Sequence, residues 1–384
     1  MKYRRFLKSG VATSEIGFGL WTVSTGWWGN KSEDDAIHLL HRAFDYGIIF
    51  FDAADTYGNG RSETLLAKAF KEKRNQITIS TKFGYDFYHF AGERKGQQEI
   101  PQDFSPKYVR FACEESLKRL ETDHIDFYQI HNSKMEHVLN DDLFATLEEL
   151  KKEGKILSYG AALGPAIGWR EEGIKLMTER KIDGLHTIYN LLEQQPGRDF
   201  FPVAEEHQVG ILVRVPHSSG MLEGKYTTDT KFDEKDHRSH RKKSWLIEGL
   251  QKIEHLKFLT EEKNRTLGQV ALKFILAQPS IVTVLPNIYN EEQLKEFATA
   301  TETPDLTRDE LKQLDELYKN NFYVKPVEDL DVIARSSEGT TKQSRSEITS
   351  PNQPFGTGNP SGQPPLEQPA ALPVMLPRND RDSV

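Results

Sequence analysis

Short apolar runs alternate along the chain with longer amphipathic stretches. The runs are EIGFGLW (15–21), IIFFDAAD (48–55), ITISTKFG (77–84), IDFYQIHN (125–132), ILSYGAALG (156–164), GLHTIYNL (184–191), GILVRVP (210–216) and IVTVLPN (281–287). They are nearly continuous in Val, Ile, Leu and Phe, as expected of strands covered on both faces. Between them lie stretches of helical periodicity. SEDDAIHLLHRAFDYG opens on a Ser cap and closes at Gly47. GRSETLLAKAFKEK, SPKYVRFACEESLKRLET, LNDDLFATLEELKKEGK, EEGIKLMTERK, FFPVAEEHQ, TLGQVALKFILAQ and NEEQLKEFATAT follow. Eight strands alternating with eight helices predict an α/β protein, a (β/α)8 TIM barrel rather than a doubly wound sheet. Residues 3–19 read as an N-terminal β-hairpin turning at Lys8-Ser9-Gly10, and TRDELKQLDELYKN (307–320) as a C-terminal helix.

Two connections are long, 84–104 and 217–245. In a barrel both fall at the C-terminal mouth, where chemistry is placed. The tip ERKGQQE (93–99) reads as a mobile loop. From about residue 329 the pattern stops: eight of the 18 prolines lie between 351 and 377. Such a segment cannot bury enough apolar surface to order itself. The chain thus divides into a barrel (1–328) and a disordered Pro/Ser/Gly-rich tail (329–384), either solvated throughout or carrying a partner-binding peptide near ALPVMLP.

Composition narrows the class. With 384 residues, 37% hydrophobic and 28% charged, the chain is that of a globular protein large enough for one barrel with insertions. A net charge of −8 argues against a general nucleic-acid binder. No apolar run reaches the ~20 residues of a membrane span. YRRFLKSG carries a twin arginine, but Glu15 interrupts the apolar stretch that an export signal needs. The lone Cys113 excludes an internal disulfide, reads as a buried thiol on an amphipathic helix, and suits a reducing, cytoplasmic setting.

The chemistry sits where polar residues close apolar strands. Asp52 ends one run and Tyr57 follows it in FFDAADTYGNG; Lys82 ends the next; His131 ends the one after. Consecutive barrel strands are neighbours, so these ends converge. A phenol titrates near ~10 and donates poorly at neutral pH unless an ammonium stabilises its phenolate. A buried lysine needs a carboxylate to stay charged. A histidine can orient a carbonyl or share the proton. Each residue alone has a plain structural reading: strand-end cap, turn aromatic, snorkelling lysine, core histidine. Their conjunction at three successive strand ends points to a tuned general acid. A metal-dependent hydrolase built on Asp52, Asp55 and His131 is the competing class, but His-x-His pairings are absent and Lys82 would oppose a cation.

At these residues the chain resembles the aldo/keto reductase superfamily. Asp52, Tyr57, Lys82 and His131 match its Asp-Tyr-Lys-His tetrad in order and spacing, and GFGLW, EELKKEGKILSYG, GMLEGKY and VALKFILAQP match further segments. The chain is most similar to the longer bacterial branch that includes potassium-channel β subunits. The resemblance implies hydride transfer from NADP(H), with NAD(H) not excluded, to an aldehyde or ketone. Tyr57 would act as acid, Lys82 and Asp52 would tune it, and His131 would position the carbonyl. An alternative is a redox-sensing accessory subunit that holds NADP(H) and turns over slowly. The partner is a small-molecule carbonyl compound, and nothing distinguishes monomer from homo-oligomer.

The resemblance also places the cofactor. GFGLWT lacks the third glycine of a dinucleotide fingerprint. The seat falls instead on Trp21, His186, Arg214, Val215, Pro216, His217, Ser218, Gly220, Leu222 and Lys225, with Arg238, Asn287, Tyr289, Gln293 and Glu296 toward the phosphate and adenosine end. Three family positions depart: Ala162-Leu163 replaces Ser-Asn, His186 replaces Gln, and Arg214 replaces an aromatic residue. Arg214 either stacks on the cofactor ring or pairs with an acid. Arg238 lies in DEKDHRSHRKKSW, which reads either as a solvated basic face or as a phosphate contact. Trp21, Trp27, Trp28, Tyr85 and Tyr88 either wall a substrate pocket or pack the mouth.

Overall fold

The computed structural model describes residues 1–26, 28–29, 31–90, 99–164, 168–233 and 236–327; most of the 93–99 loop tip, Trp27 and the 329–384 tail lie outside them. Strands β1 (Tyr3–Arg5) and β2 (Ala12–Ser14) form the predicted antiparallel hairpin. Eight parallel strands follow: β3 (Phe18–Gly19), β4 (Phe50–Asp52), β5 (Thr78–Phe83), β6 (Ile125–His131), β7 (Ile156–Ala162), β8 (Gly184–Ile188), β9 (Gly210–Arg214) and β10 (Ile281–Leu285). They lie side by side in chain order. Ile16 bridges Val284, with Val284 N donating to the Glu15 oxygen at 2.9 Å and Gly17 N to the Val284 oxygen at 2.8 Å, which brings the first and last strands together. The fold is the (β/α)8 barrel.

The helices begin where local chemistry caps them. Helix α1 (Trp21–Ser24) is a single turn at the mouth. In α2 (Glu33–Asp45) the Ser32 hydroxyl accepts from Asp35 N, and three acids fill the first turn against the helix dipole. Helix α3 (Arg61–Phe70) follows the Tyr57 turn, and α4 (Pro106–Leu120) has a Ser105 cap and proline at its first position. Helices α5 (Met135–Val138), α6 (Asp141–Lys152), α7 (Arg170–Glu179) and α8 (Gly197–Glu206) come next. Helix α9 (Lys243–Glu254), which the sequence pattern did not predict, begins inside the basic loop with no side-chain cap. Helices α10 (Leu267–Leu276) and α12 (Arg308–Lys319) start on reciprocal capping boxes, and α11 (Glu291–Ala298) lies between them. No described helix is long and apolar enough to cross a membrane.

The interior of the barrel is stratified because alternate strand residues point inward. Its floor is a small apolar cluster of Phe6, Phe50, Phe127, Leu212, Val282 and Leu285. Phe6 reaches in from the hairpin and stacks on Phe127 with ring centroids 4.6 Å apart. Gly184 and Gly210 make room for it: a Cβ on either would lie 2.5 or 2.8 Å from the Phe6 ring. Two residues further along, Asp52 follows Phe50 and Gln129 follows Phe127 on the same inward face, so the polar layer rests on a dry floor. Cys113 is buried under α4, where burial pushes its thiol up to about 12.

The turn between Asp52 and α3 carries Tyr57 back to the mouth. Tyr57 N donates to the Ala54 oxygen (3.1 Å) and the Ser62 hydroxyl to the same oxygen (2.7 Å). Gly58 has φ +61°, and a Cβ there would sit 2.4 Å from the Ser24 carbonyl oxygen of α1. Replacing Gly58 with alanine should therefore cost about 1–3 kcal/mol in urea unfolding; an unchanged midpoint would show that the turn tolerates a side chain.

Candidate active site

The polar layer converges on one carboxylate. Asp52 Oδ2 accepts from Lys82 Nζ at 2.5 Å, and Asp52 Oδ1 accepts from the Ser80 hydroxyl and the Gln129 amide, both at 2.9 Å. Gln129 also donates to Ser80 Oγ at 2.6 Å. Lys82 is 2% exposed and donates a further bond to the Ala53 carbonyl (2.7 Å). Burial alone would push its pKa down. The Asp52 carboxylate and then Tyr57 outweigh that, and the net shift is upward. Lys82 is thus a buried, charged ammonium with its counter-ion beneath it.

Tyr57 stands over this pair, half-buried, with Lys82 Nζ 4.9 Å from its ring centroid. His131 meets the Tyr57 ring edge-on at 5.8 Å and the Tyr85 ring at 5.1 Å. Behind His131, Gln102 donates to its carbonyl (2.9 Å), Asn132 donates to Tyr85 Oη (2.8 Å), and Tyr85 donates to Glu99 (2.9 Å). The structure therefore brings Asp52, Tyr57, Lys82 and His131 into one constellation at the ends of β4, β5 and β6. Ser80 and Gln129 were missed as candidates. Their signal was present: each precedes a candidate by two positions on the same strand and shares its inward face.

Across the mouth sits His186, 2% exposed. Gln129 has committed its N–H groups to Asp52 and Ser80, so its oxygen accepts from His186 Nδ1 at 3.2 Å. Burial first, then the charges of Arg214 and Lys82, hold the His186 pKa well below its usual value. The ring is neutral, and Nε2 is left as a buried acceptor with no hydrogen-bond partner among the described residues. Arg214, at the end of β9, does not pair with an acid among the described residues. Its guanidinium donates to the carbonyls of Leu163 (2.9 Å), Gly164 (2.5 Å) and His186 (3.3 Å).

The loop after β9 is strained. Val215, Ser218 and Ser219 have φ of 56°, 45° and 58°, the first an outlier for a β-branched residue. Asn190 holds it by donating to the Val215 carbonyl at 3.0 Å. Pro216 and Leu222 are buried, and the Ser218 hydroxyl turns to Glu193 (3.3 Å). His217 Nε2 donates to the Gly268 carbonyl (3.1 Å) while its ring packs 4.4 Å from that of Phe297. Gly220 admits Tyr226: a Cβ there would lie 2.3 Å from the phenol oxygen.

Among the residues expected at the adenosine end, Arg238 is engaged rather than open. It donates to Asp236 (2.6 and 2.8 Å) and Tyr226 Oη (2.7 Å), and its guanidinium lies 4.6 Å from the Trp28 ring and 4.9 Å from Phe232. Trp28 stacks in turn on Tyr289 (5.8 Å) and meets Trp21 edge-on (6.2 Å). Gln293 donates to Glu223 (2.9 Å), Glu296 accepts from Thr266 (2.6 Å), and Lys225 reaches Glu292 (3.5 Å). Asn287 is half-buried after β10. Tyr289, Gln293 and Glu223 are joined by hydrogen bonds, and Arg238 meets Tyr289 through the Trp28 ring. Tyr88 accepts a hydrogen bond from Arg119 (2.7 Å). No group of three or more His, Cys, Asp or Glu able to hold a metal occurs among the described residues.

His217 supplies a measurable pH signature. Burial holds its pKa at about 4, against about 6.5 when unfolded. Below pH 6.5 the unfolded chain binds a proton that the folded chain refuses, so stability falls as pH drops toward 4. The gap between wild type and His217→Gln, measured by denaturant unfolding, should shrink by about 3 kcal/mol across that window; parallel pH profiles would contradict it.

Comparison with known proteins agrees with the geometry. The model of the Aldo/keto reductase family matches residues 15–319. Aldo-keto reductase YhdN of Bacillus subtilis is 31% identical over 311 residues, covering 78% of this chain and 89% of that protein. A probable voltage-gated potassium channel subunit beta of Arabidopsis thaliana is 27% identical over 343 residues, covering 83% of this chain and 97% of that one. The structure of a glycerol dehydrogenase from Gluconobacter oxydans superposes with a TM-score of 0.71 at 26% identity, covering 83% of this chain and 96% of that one. The chain is an oxidoreductase of the aldo/keto reductase family, whose members use nicotinamide cofactors.

Proposed function

We infer that this protein reduces an aldehyde or ketone, with Tyr57 as the proton donor. The observation that carries the reading is the buried Lys82–Asp52 pair directly beneath the Tyr57 phenol. A reduced nicotinamide supplies the hydride when bound. Tyr57 gives its proton to the carbonyl oxygen, and the Lys82 ammonium stabilises the phenolate that remains. Asp52, held by Ser80 and Gln129, keeps Lys82 charged. His131 orients the carbonyl beside Tyr57. Buried His186 Nε2 fits the cofactor, since the nicotinamide carboxamide carries the N–H that this acceptor lacks. It takes over from the residues replaced by Ala162 and Leu163. Trp21 and Tyr85 give the mouth an aromatic wall suited to apolar carbonyl compounds.

NADP(H) is the cofactor put forward, with Arg238 the contact for its additional phosphate and NAD(H) compatible with the rest of the site. Residues 1–328 are read as one catalytic unit in a reducing, cytoplasmic setting, with 329–384 appended. A second reading, an accessory subunit that holds the nucleotide and turns over slowly, draws support from the channel-subunit relative and from Arg238 clamped between Trp28 and Phe232. Nucleotide that co-purifies with negligible turnover would favour it.

Tyr57→Phe should lower consumption of 4-nitrobenzaldehyde by about 10²–10⁴-fold while nucleotide binding persists; equal rates would remove Tyr57 from the chemistry. Arg238→Ala should weaken NADPH more than NADH in fluorescence titration. An unchanged ratio of the two Kd values would exclude Arg238 from phosphate recognition.

A further inference from the structure

One charge at the mouth has no role in proton donation. Lys82 is neutralised by Asp52 at 2.5 Å. His186 is neutral because burial and the charges of Arg214 and Lys82 oppose its protonation, and its one proton sits on Nδ1 facing Gln129. Arg214 remains a cation whose only hydrogen-bond partners among the described residues are the carbonyls of Leu163, Gly164 and His186. Burial is the largest influence on it and opposes its charge; Tyr57 and Asp52 lie near enough to favour the cation, so it shares their space. It is half-buried at the last position of β9, next to strained Val215, and its backbone is in register with Ile188 and Leu285 on the neighbouring strands. Together Lys82, Asp52, His186 and Arg214 thus leave one net positive charge, on Arg214, that the fold holds in place.

Hydride transfer changes the charge of the other occupant of this space. A carbonyl hydrogen-bonded to Tyr57 can accept hydride only from a donor about 3–3.5 Å from its carbon. The cofactor ring is thereby confined to the mouth that Arg214 shares. Reduced nicotinamide is neutral; after losing hydride it carries one positive charge. We propose that Arg214 discriminates between the two redox forms of the cofactor, retaining the reduced form and expelling the oxidised one. The proposal rests on the reductase reading above.

The contacts to pyrophosphate, ribose and adenine are common to both forms and cancel in the comparison, leaving the repulsion between two like charges. At separations of a few ångströms and partial solvent exposure, that repulsion corresponds to roughly tenfold or more in relative affinity. Stabilising the reduced form raises the potential of the bound couple by about 30 mV for each tenfold. Arg214 thus gives up some hydride driving force in exchange for weaker inhibition by spent cofactor and faster release, the step that limits many such enzymes. An aromatic residue at this position would stack on the cofactor but carry no charge to repel the oxidised ring.

The test is binding, not turnover. Kd values for NADPH and NADP+, and for NADH and NAD+, are measured by tryptophan fluorescence and calorimetry on the full chain. In the wild type the oxidised-to-reduced ratio should exceed about ten. Arg214→Met and Arg214→Gln should lower it about tenfold, and Arg214→Lys should keep it. Glutamine retains an N–H donor for the Leu163 and Gly164 carbonyls, so it decides the matter if the methionine variant fails to fold. A wild-type ratio near one, or a ratio that survives loss of the charge, overturns the proposal while leaving the reductase intact. Failure of the wild type to bind any nicotinamide nucleotide overturns the reductase reading itself.

Discussion

A lysine ammonium 2% exposed inside a protein is a costly object, and the site is organised around keeping it charged. Asp52 alone would leave one carboxylate oxygen unsatisfied in a low-dielectric setting. Ser80 and Gln129 fill that oxygen, and the Ala53 carbonyl takes another Lys82 proton. The pair is therefore neutral overall and saturated with hydrogen bonds, the condition under which a buried ion pair persists. Tyr57, His131 and His186 then face a field whose strength and direction are set by this arrangement, and none of them has to move for the field to be in place.

The floor explains why such a pair can sit in the middle of a barrel. Phe6 from the hairpin, with Phe50, Phe127 and Leu212, closes the lower end to water. Glycines at the starts of β8 and β9 give the Phe6 ring its space. Ascending one strand passes from aromatic to carboxylate or amide to titratable tip: Phe127, Gln129 and His131 on β6 are the clearest case. Polarity rises toward the mouth in step with access to solvent, so the functional end is also the end where charged groups are least expensive to hold.

The mouth is covered by two kinds of contact that differ in consequence. Backbone carbonyls of Leu163 and Gly164 hold Arg214 without cancelling its charge, whereas Asp236 cancels that of Arg238. Of two arginines from neighbouring segments, one thus presents a net charge and the other a neutralised pair. The Arg238 cluster ties the long loop after β9 to Trp28, and through Trp28 to Tyr289 at the start of the helix after β10. Parts of the protein that are distant in sequence are joined there by stacking rather than by sheet hydrogen bonds.

The alternation of apolar runs and amphipathic stretches was sufficient for the barrel, because strand and helix periods are local properties of the chain. Asp52, Lys82 and His131 were legible because each interrupts an apolar run at the end that converges with its neighbours, and Tyr57 because its spacing from Asp52 suits a turn back to the mouth. Strand ends were overextended, as in EIGFGLW, where pairing stops at Gly19 and Trp21 already begins a helix. Helix α9 escaped notice because Lys242 and Lys243 open it without a side-chain cap. The partners of Arg214 and Arg238, the service of Ser80 and Gln129 to Asp52, and the tautomer of His186 came only with the three-dimensional arrangement. Arg238 with Asp236 and Tyr226 apart, those are choices among donors and acceptors 28 to 77 residues apart, such as Ser80 and Gln129 with Asp52, and distance in space, not order along the chain, decides which of them meet.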